Sequence, residues 1–126
     1  MIILYHSNED IPRELRLDVQ CGFGEDGAEG HAAKVAAAFK AGYYTAVCVG
    51  QTADLDDMYS WTQNGIVTDS WCLKPLLDKW VPIYPDFHLH NGKKYGRRSS
   101  MIGDVFNANG VYFTCSTFGF TRLDMS

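Results

Sequence analysis

From residue 105 onward the chain reads as a β-hairpin. Val105-Phe106 and Val111-Tyr112-Phe113-Thr114-Cys115 flank Asn107-Ala108-Asn109-Gly110. Asn-Gly readily takes the positive φ angles of a tight turn, and β-branched and aromatic flanks suit a pleated, half-buried surface. A tight turn joins only antiparallel neighbours, so the end of the chain is committed to antiparallel sheet. Directly before it stands Arg97-Arg98-Ser99-Ser100-Met101-Ile102-Gly103-Asp104. Charge, small hydroxyls and a glycine converge there, and Gly103 permits a bulge or a close backbone approach where the hairpin begins. Residues 119–123 read as one more strand, which either finishes the sheet or continues past a bulge at Thr117.

The remaining elements follow from periodicity. Residues 2–6 form a short apolar strand. Residues 7–27 are polar and turn-rich and carry no predicted element. Asp26 and Glu29 make a capping-box pattern. Ala28, Ala32, Val35 and Phe39 then recur at helical spacing through an alanine-rich segment that Gly42 is placed to end. So much alanine on one face implies close approach to a sheet, and His31 beside that stripe reads as structural. Residues 43–50 form a nearly continuous apolar strand, as expected of an inner strand covered on both faces. A second helix spans 54–63, acidic in its first turn, with Leu55, Met58, Tyr59 and Thr62 inward and Asn64-Gly65 as its stop. Residues 66–96 are the least regular: a helical turn near Leu73–Leu77 interrupted by Pro75, then a long loop through Pro82, Pro85 and Gly92. These pieces predict one α+β domain over residues 1–126, with a small, mainly antiparallel sheet, a C-terminal hairpin and two main helices packed on it.

Composition narrows the class. At 126 residues the chain accommodates one core, and 46% hydrophobic with 21% charged residues is ordinary for a globular protein. The 17 aromatic residues supply large buried areas, with rings to spare for a binding face. No apolar run reaches the length of a membrane span, and the N-terminus lacks the basic region of a secretory signal. Cys21, Cys48, Cys72 and Cys115 are widely spaced, without the close pairs of a zinc site, and read as small hydrophobes in a reducing compartment. Charge is uneven: residues 1–60 hold 4 basic and 10 acidic side chains, residues 61–126 hold 7 and 5. The net charge of −4 argues against a dedicated duplex-DNA binder, which needs a broad basic face.

Candidate site residues fall in the second half. Lys93, Lys94, Tyr95, Arg97 and Arg98 form a basic-aromatic cluster suited to phosphates, bases or an acidic protein surface. Ser99, Ser100 and Asp104 extend it. The two guanidinium forks match carboxylate or phosphate, and Asp104 is positioned to pair with Arg97 or Arg98. The same stretch also reads as a rigid corner built from an arginine–aspartate pair, serine turn bonds and a glycine. Trp71, Trp80 and Tyr84 supply the ring types that dominate protein-binding hot spots. His88 and His90, at i and i+2, face one way in a strand and are weak metal candidates, without a third ligand in sight. His6, at a strand end before Ser7, resembles the ribose-holding histidine of ADP-ribosyltransferase folds, but no glutamate follows Glu29 to complete that chemistry. No catalytic set and no cofactor emerge.

One resemblance spans most of the chain through short, gapped motifs. Arg98-Ser99-Ser100-Met101-Ile102-Gly103-Asp104-Val105 resembles the Arg-Ser-Thr-Ser-Val-Gly-Asp-Val signature of small uncharacterised proteins of bacteriophages, plasmids and other mobile elements. Leu4-Tyr5-His6-Ser7, Asp54-Leu55-Asp56-Asp57-Met58-Tyr59 with Thr62-Gln63-Asn64, Trp71 and Phe118-Gly119-Phe120 are similar to their other motifs in order. Ser-Met-Ile stands where those proteins have Thr-Ser-Val. The resemblance implies an origin and no particular activity. The expectation is a non-catalytic accessory protein of the bacterial cytoplasm that binds a host or phage protein. A binder of nucleotides or single-stranded nucleic acid through residues 93–98 is the alternative, and an ADP-ribosyltransferase-like enzyme is disfavoured.

Overall fold

In the first strand Ile2, Leu4 and His6 are buried while Ile3, Tyr5 and Ser7 are half-buried, the period of two that a strand imposes on side chains. The computed structural model describes residues 1–21, 27–63, 80–83, 87–96, 98–117 and 119–126. In chain order its elements are β1 (Ile2–Ser7), α1 (Arg13–Cys21), α2 (Gly27–Lys40), β2 (Tyr44–Gly50), α3 (Leu55–Trp61), β3 (Trp80–Pro82), β4 (Phe87–His90), β5 (Lys93–Gly96), β6 (Val105–Ala108), β7 (Val111–Ser116) and β8 (Gly119–Arg122). Six strands form an antiparallel sheet in the order β3-β2-β1-β6-β7-β8, and β4 and β5 pair with each other as a separate two-stranded sheet. The α+β class expected from the sequence is therefore found, with β1 inside the sheet between β2 and β6.

The C-terminal hairpin has the expected turn. Asn109 and Gly110 take φ of 54° and 89°, and Val105 pairs with Thr114 and Ala108 with Val111. β8 finishes the sheet as an edge strand, with Phe113 opposite Arg122. The expected helices also form. Asp54 caps α3 by accepting from the amides of Asp56 and Asp57, and Met58 and Thr62 are fully buried. At the end of α2 the Gly42 amide donates to the Phe39 carbonyl and the Tyr43 amide to that of Ala38, the two bonds of a Schellman close. The proposed cap at Asp26 lies outside the described residues, as does the helical turn at 73–77.

Two expectations are corrected. Residues 7–27 are not simply turns, because α1 adds a third helix to the two foreseen. Its signal was present: Ile11, Leu15 and Val19 recur every four residues, and Pro12 is a residue suited to a helix start. Ile11 and Val19 are buried in the core. The stretch through Pro82 and Gly92 is not a continuous loop either, since it contains β3, β4 and β5. Asn91 and Gly92 take φ of 51° and 77° between β4 and β5, the same hairpin chemistry that is evident at 109–110.

Helices cover both faces of the six-stranded sheet. On one face Ile2, Leu4, Cys48, Phe106 and Cys115 meet Met58 of α3, and Phe120 stands edge-on to Phe106 and Tyr59. On the other, Val19, Ala32, Val35 and Ala36 of α1 and α2 pack with Val105 and Leu123. The short alanines let α2 approach closely, and Phe39 fills the gap between Tyr5 and Tyr112 at ring distances of 5.0 and 5.3 Å. Leu4 pairs with Cys48 but Tyr5 with Ala46, so Val47 is the extra residue of a β-bulge. Both Val47 and Cys48 are consequently buried in the cluster with Met58, while Thr45 is exposed and Ala46 and Val49 are half-buried, so the cover on both faces expected for this strand is incomplete.

Gly103 lies hard against α1. At φ 88°, a Cβ there would collide with the Val19 carbonyl oxygen of α1. That oxygen also accepts the Nε2 proton of buried His31 at 2.7 Å, which ties α2 to the same spot and explains His31 as structural. Gly103→Ala therefore has to displace helix backbone as well as strain φ, and we expect a loss of about 3 kcal/mol or more. Gly110→Ala, with φ 89° but nothing within 4 Å, should lose only about 1 kcal/mol. Urea unfolding of the two variants measures the contrast, and equal losses would contradict the close approach.

Candidate functional site

The segment before β6 is where most of the candidate residues meet. Arg98 grips Asp104 with both terminal amines, Nη1 to Oδ2 at 2.8 Å and Nη2 to Oδ1 at 2.7 Å, and Nη1 also donates to the Ser99 carbonyl at 3.0 Å. The Met101 amide donates to the same carboxylate at 2.7 Å, and His6 Nε2 at the end of β1 lies 3.5 Å from it. The Asp104 side chain is 2% exposed and that of Arg98 34%, so the pair is a buried carboxylate covered by a guanidinium lid. Of the two pairings foreseen, the one with Arg98 forms, while Arg97 lies outside the described residues.

Backbone bonds lock the Asp104 position. Its carbonyl accepts from the Cys115 amide and the Thr114 hydroxyl, and its amide donates to the Met101 carbonyl. Next to it, Gly103 donates to the Cys115 carbonyl and accepts the Tyr44 hydroxyl at 2.6 Å. The electrostatics follow from burial. Desolvation pushes the Asp104 carboxyl above its ordinary value, against the pull of Arg98 and the Met101 amide. Burial and then the neighbouring Asp104 charge push the Cys115 thiol up to about 11, leaving it protonated and unreactive at neutral pH. Burial, reinforced by Asp104, also raises the Tyr44 phenol.

The serines belong to the same corner. The Ser100 amide donates to the Thr62 carbonyl at 2.9 Å, its carbonyl accepts from Gln63 Nε2 at 2.9 Å, and its hydroxyl lies 2.6 Å from Thr62 Oγ1. Thr62 Oγ1 gives its own proton to the Met58 carbonyl at 2.8 Å, so the Ser100 hydroxyl is the donor between them. Ser100 and Asp104, 2% and 1% exposed, are therefore internal fastenings, and the reading of this stretch as a rigid corner describes their geometry.

The other candidates lie elsewhere. Lys93, Lys94 and Tyr95 are on β5, opposite β4, in the two-stranded sheet. His88 and His90 lie two positions apart on β4. No group of three histidine, cysteine, aspartate or glutamate residues suited to a metal occurs among the described residues. Trp80 opens β3, while Trp71 and Tyr84 lie outside the described residues. Cys48 is buried with Cys115 and Cys21 is exposed, so the reading of the cysteines as small buried hydrophobes fits two of the three described. No described helix is long and apolar enough to cross a membrane.

Sequence reasoning missed Tyr44, Gln63 and Arg16 as participants. Arg16 of α1 shares an open cleft with His6, Ser7, Glu9, Thr45 and Arg98 at the end of β1. Only the helical period of α1 could have pointed to it, because nothing local in Arg13–Cys21 marks a site. Against known proteins, the chain matches no family model, no curated protein and no solved structure.

The Ser100–Thr62 bond supplies a test of the corner. Thr62→Val strands a buried hydroxyl and should cost about 2 kcal/mol, whereas adding Ser100→Ala removes the orphaned group and should restore part of the loss. Urea unfolding of both single variants and the double variant measures the coupling. Strict additivity would show that the two hydroxyls do not depend on each other.

Proposed function

We propose that this chain is a non-catalytic accessory protein of a bacteriophage or other mobile element. It acts in the bacterial cytoplasm by docking on a host or phage protein, with the hairpin of β4 and β5 as the contacting element. The observation that carries the reading is the placement of Lys93-Lys94-Tyr95 on a two-stranded sheet that, among the described residues, shares no strand pairing with the main sheet. The fold's other conspicuous cation, Arg98, is already spent largely on Asp104. Partner recognition through charge and rings thus falls to the hairpin, with Trp80 on the edge strand β3 and with Trp71, Tyr84 and Arg97 as further candidates. The motif resemblance at residues 98–105 supports the origin. Two features work against an enzyme: Ser100 is committed to Thr62, and the Asp104 carboxylate is covered by Arg98 and the Met101 amide.

The alternative chemistry for the same hairpin is nucleotides or single-stranded nucleic acid, with Tyr95 stacking and lysines on phosphates. One experiment separates them. Affinity capture from host lysate is run with the wild type and with the double variant Lys93→Glu/Lys94→Glu, beside oligonucleotide titrations at two salt levels. The proposal predicts a stoichiometric protein whose retention falls at least tenfold in the variant, about 1.4 kcal/mol, with unchanged thermal unfolding. Retention insensitive to both charge reversals, or no partner, contradicts it. Oligonucleotide binding that weakens steeply with salt replaces it with the alternative.

A further inference from the structure

We propose that the chain pairs with a second copy of itself through the outer edge of β8, making one continuous antiparallel sheet across a two-fold axis. This inference is independent of the docking role assigned to the hairpin of β4 and β5. The two ends of the six-stranded sheet are unlike. At β3 the Ile83 amide donates to the Val47 carbonyl, extending the register that sets Val81 opposite Val49. By the alternation of an antiparallel ladder, Val81 turns its backbone groups to β2, while Trp80 and Pro82 turn theirs outward. Pro82 has no amide proton, so this short edge lacks a donor, a common guard against edge-to-edge pairing.

β8 has no proline guard. The Leu123 amide donates to the Tyr112 carbonyl, in the register that sets Thr121 opposite Thr114. Gly119, Thr121 and Leu123 therefore turn their backbone groups to β7, and Phe120 and Arg122 turn theirs outward. Among the described residues no strand meets that side, and Gly119 and Arg122 are exposed. An antiparallel copy centred on Thr121 sets Phe120 opposite Arg122 of the second copy, so each outward amide meets an outward carbonyl. Thr121 then faces its own counterpart, a favourable cross-strand pair, and the Arg122 charge comes beside a Phe120 ring.

The helix layer fits the same axis. α2 packs over β7 and β8. Its exposed residues Glu29, Ala33, Ala37 and Lys40 line a groove together with Thr121, Arg122 and Asp124 at the open edge. Neighbouring strands stand about 4.8 Å apart, so helices over the β7–β8 seam of both copies come within about 10 Å of each other. That is the spacing of packed helices, and the short alanines let the backbones approach. The two-fold axis makes the helices antiparallel, which brings Glu29 of each copy toward Lys40 of the other. Lys40 already donates to the Ser126 carbonyl, and its ammonium has protons to spare for a carboxylate. A parallel arrangement would set like charges together, so the charge pattern selects a second copy in the antiparallel orientation.

Sedimentation velocity of the full chain over a range of concentrations measures the association. A species of twice the 14.1 kDa chain mass should form, with a Kd of about 10 µM. Arg122→Pro removes an outward donor but no bond to β7, and Ala37→Glu puts a carboxylate into the helix seam. Each should weaken the dimer about tenfold or more with an unchanged circular dichroism spectrum. Glu29→Lys should weaken it a few-fold, and adding Lys40→Glu should restore it. Lys93→Glu/Lys94→Glu should leave it unchanged, so hairpin docking and self-association are read separately. A monomer at every concentration, a dimer that survives either Arg122→Pro or Ala37→Glu, or a charge reversal without rescue overturns the proposal.

Discussion

A buried carboxylate is tolerable only when its lone pairs are met, and Asp104 shows what that demand does to a small fold. Arg98, the Met101 amide and His6 surround its side chain, while β7 binds its backbone. Taking such a charge out of water costs several kcal/mol, so its surroundings have to be held in one geometry. That requirement fixes the path of residues 98–104 and sets where β6 starts. The register of β6 against β1 and β7, and hence which face Val105 and Phe106 present, follows from that start.

The same corner links the three layers. Ser100 is fastened to Thr62 and Gln63 at the end of α3, and Gly103 lies against the Val19 carbonyl of α1, where His31 of α2 also binds. Tyr44 reaches from β2 to the Gly103 carbonyl. Hydrophobic burial supplies most of the stability on both sheet faces, but it is non-directional. The polar corner provides direction: it specifies which helix ends meet which strand ends. It also places Arg98 on the lining of the cleft at the end of β1.

How far the sequence revealed this depended on how local each signal was. The hairpin at 105–115 and the helices at 27–40 and 55–61 were legible because turn residues, caps and apolar period all lie within a few positions of one another. The arginine–aspartate pairing and the close approach at Gly103 were legible in kind. Their partners Val19 and Tyr44 were not, since contacts across more than 50 residues leave no local trace. α1 was missed because its charged residues Arg13, Glu14, Arg16 and Asp18 mask a thin stripe of Ile11, Leu15 and Val19. The hairpin at 87–96 was missed for another reason. Phe87 and Leu89 do alternate with His88 and His90 before the Asn91-Gly92 turn, but Lys93-Lys94-Tyr95-Gly96 after it does not continue an apolar alternation. The cleft was illegible altogether, because Arg16 and Arg98 are brought together only by the packing of α1 on the sheet.

The central claim is that the Arg98–Asp104 pair organises the fold. A double-mutant cycle on Arg98→Met and Asp104→Asn, followed by urea unfolding near neutral pH, tests it most directly. Each single variant should lose about 3 kcal/mol, and the double should lose clearly less than their sum, with a coupling of about 2 kcal/mol. Losses that add to within about 0.5 kcal/mol would mean that the two side chains stabilise the protein independently, and the pair would not be what organises the fold.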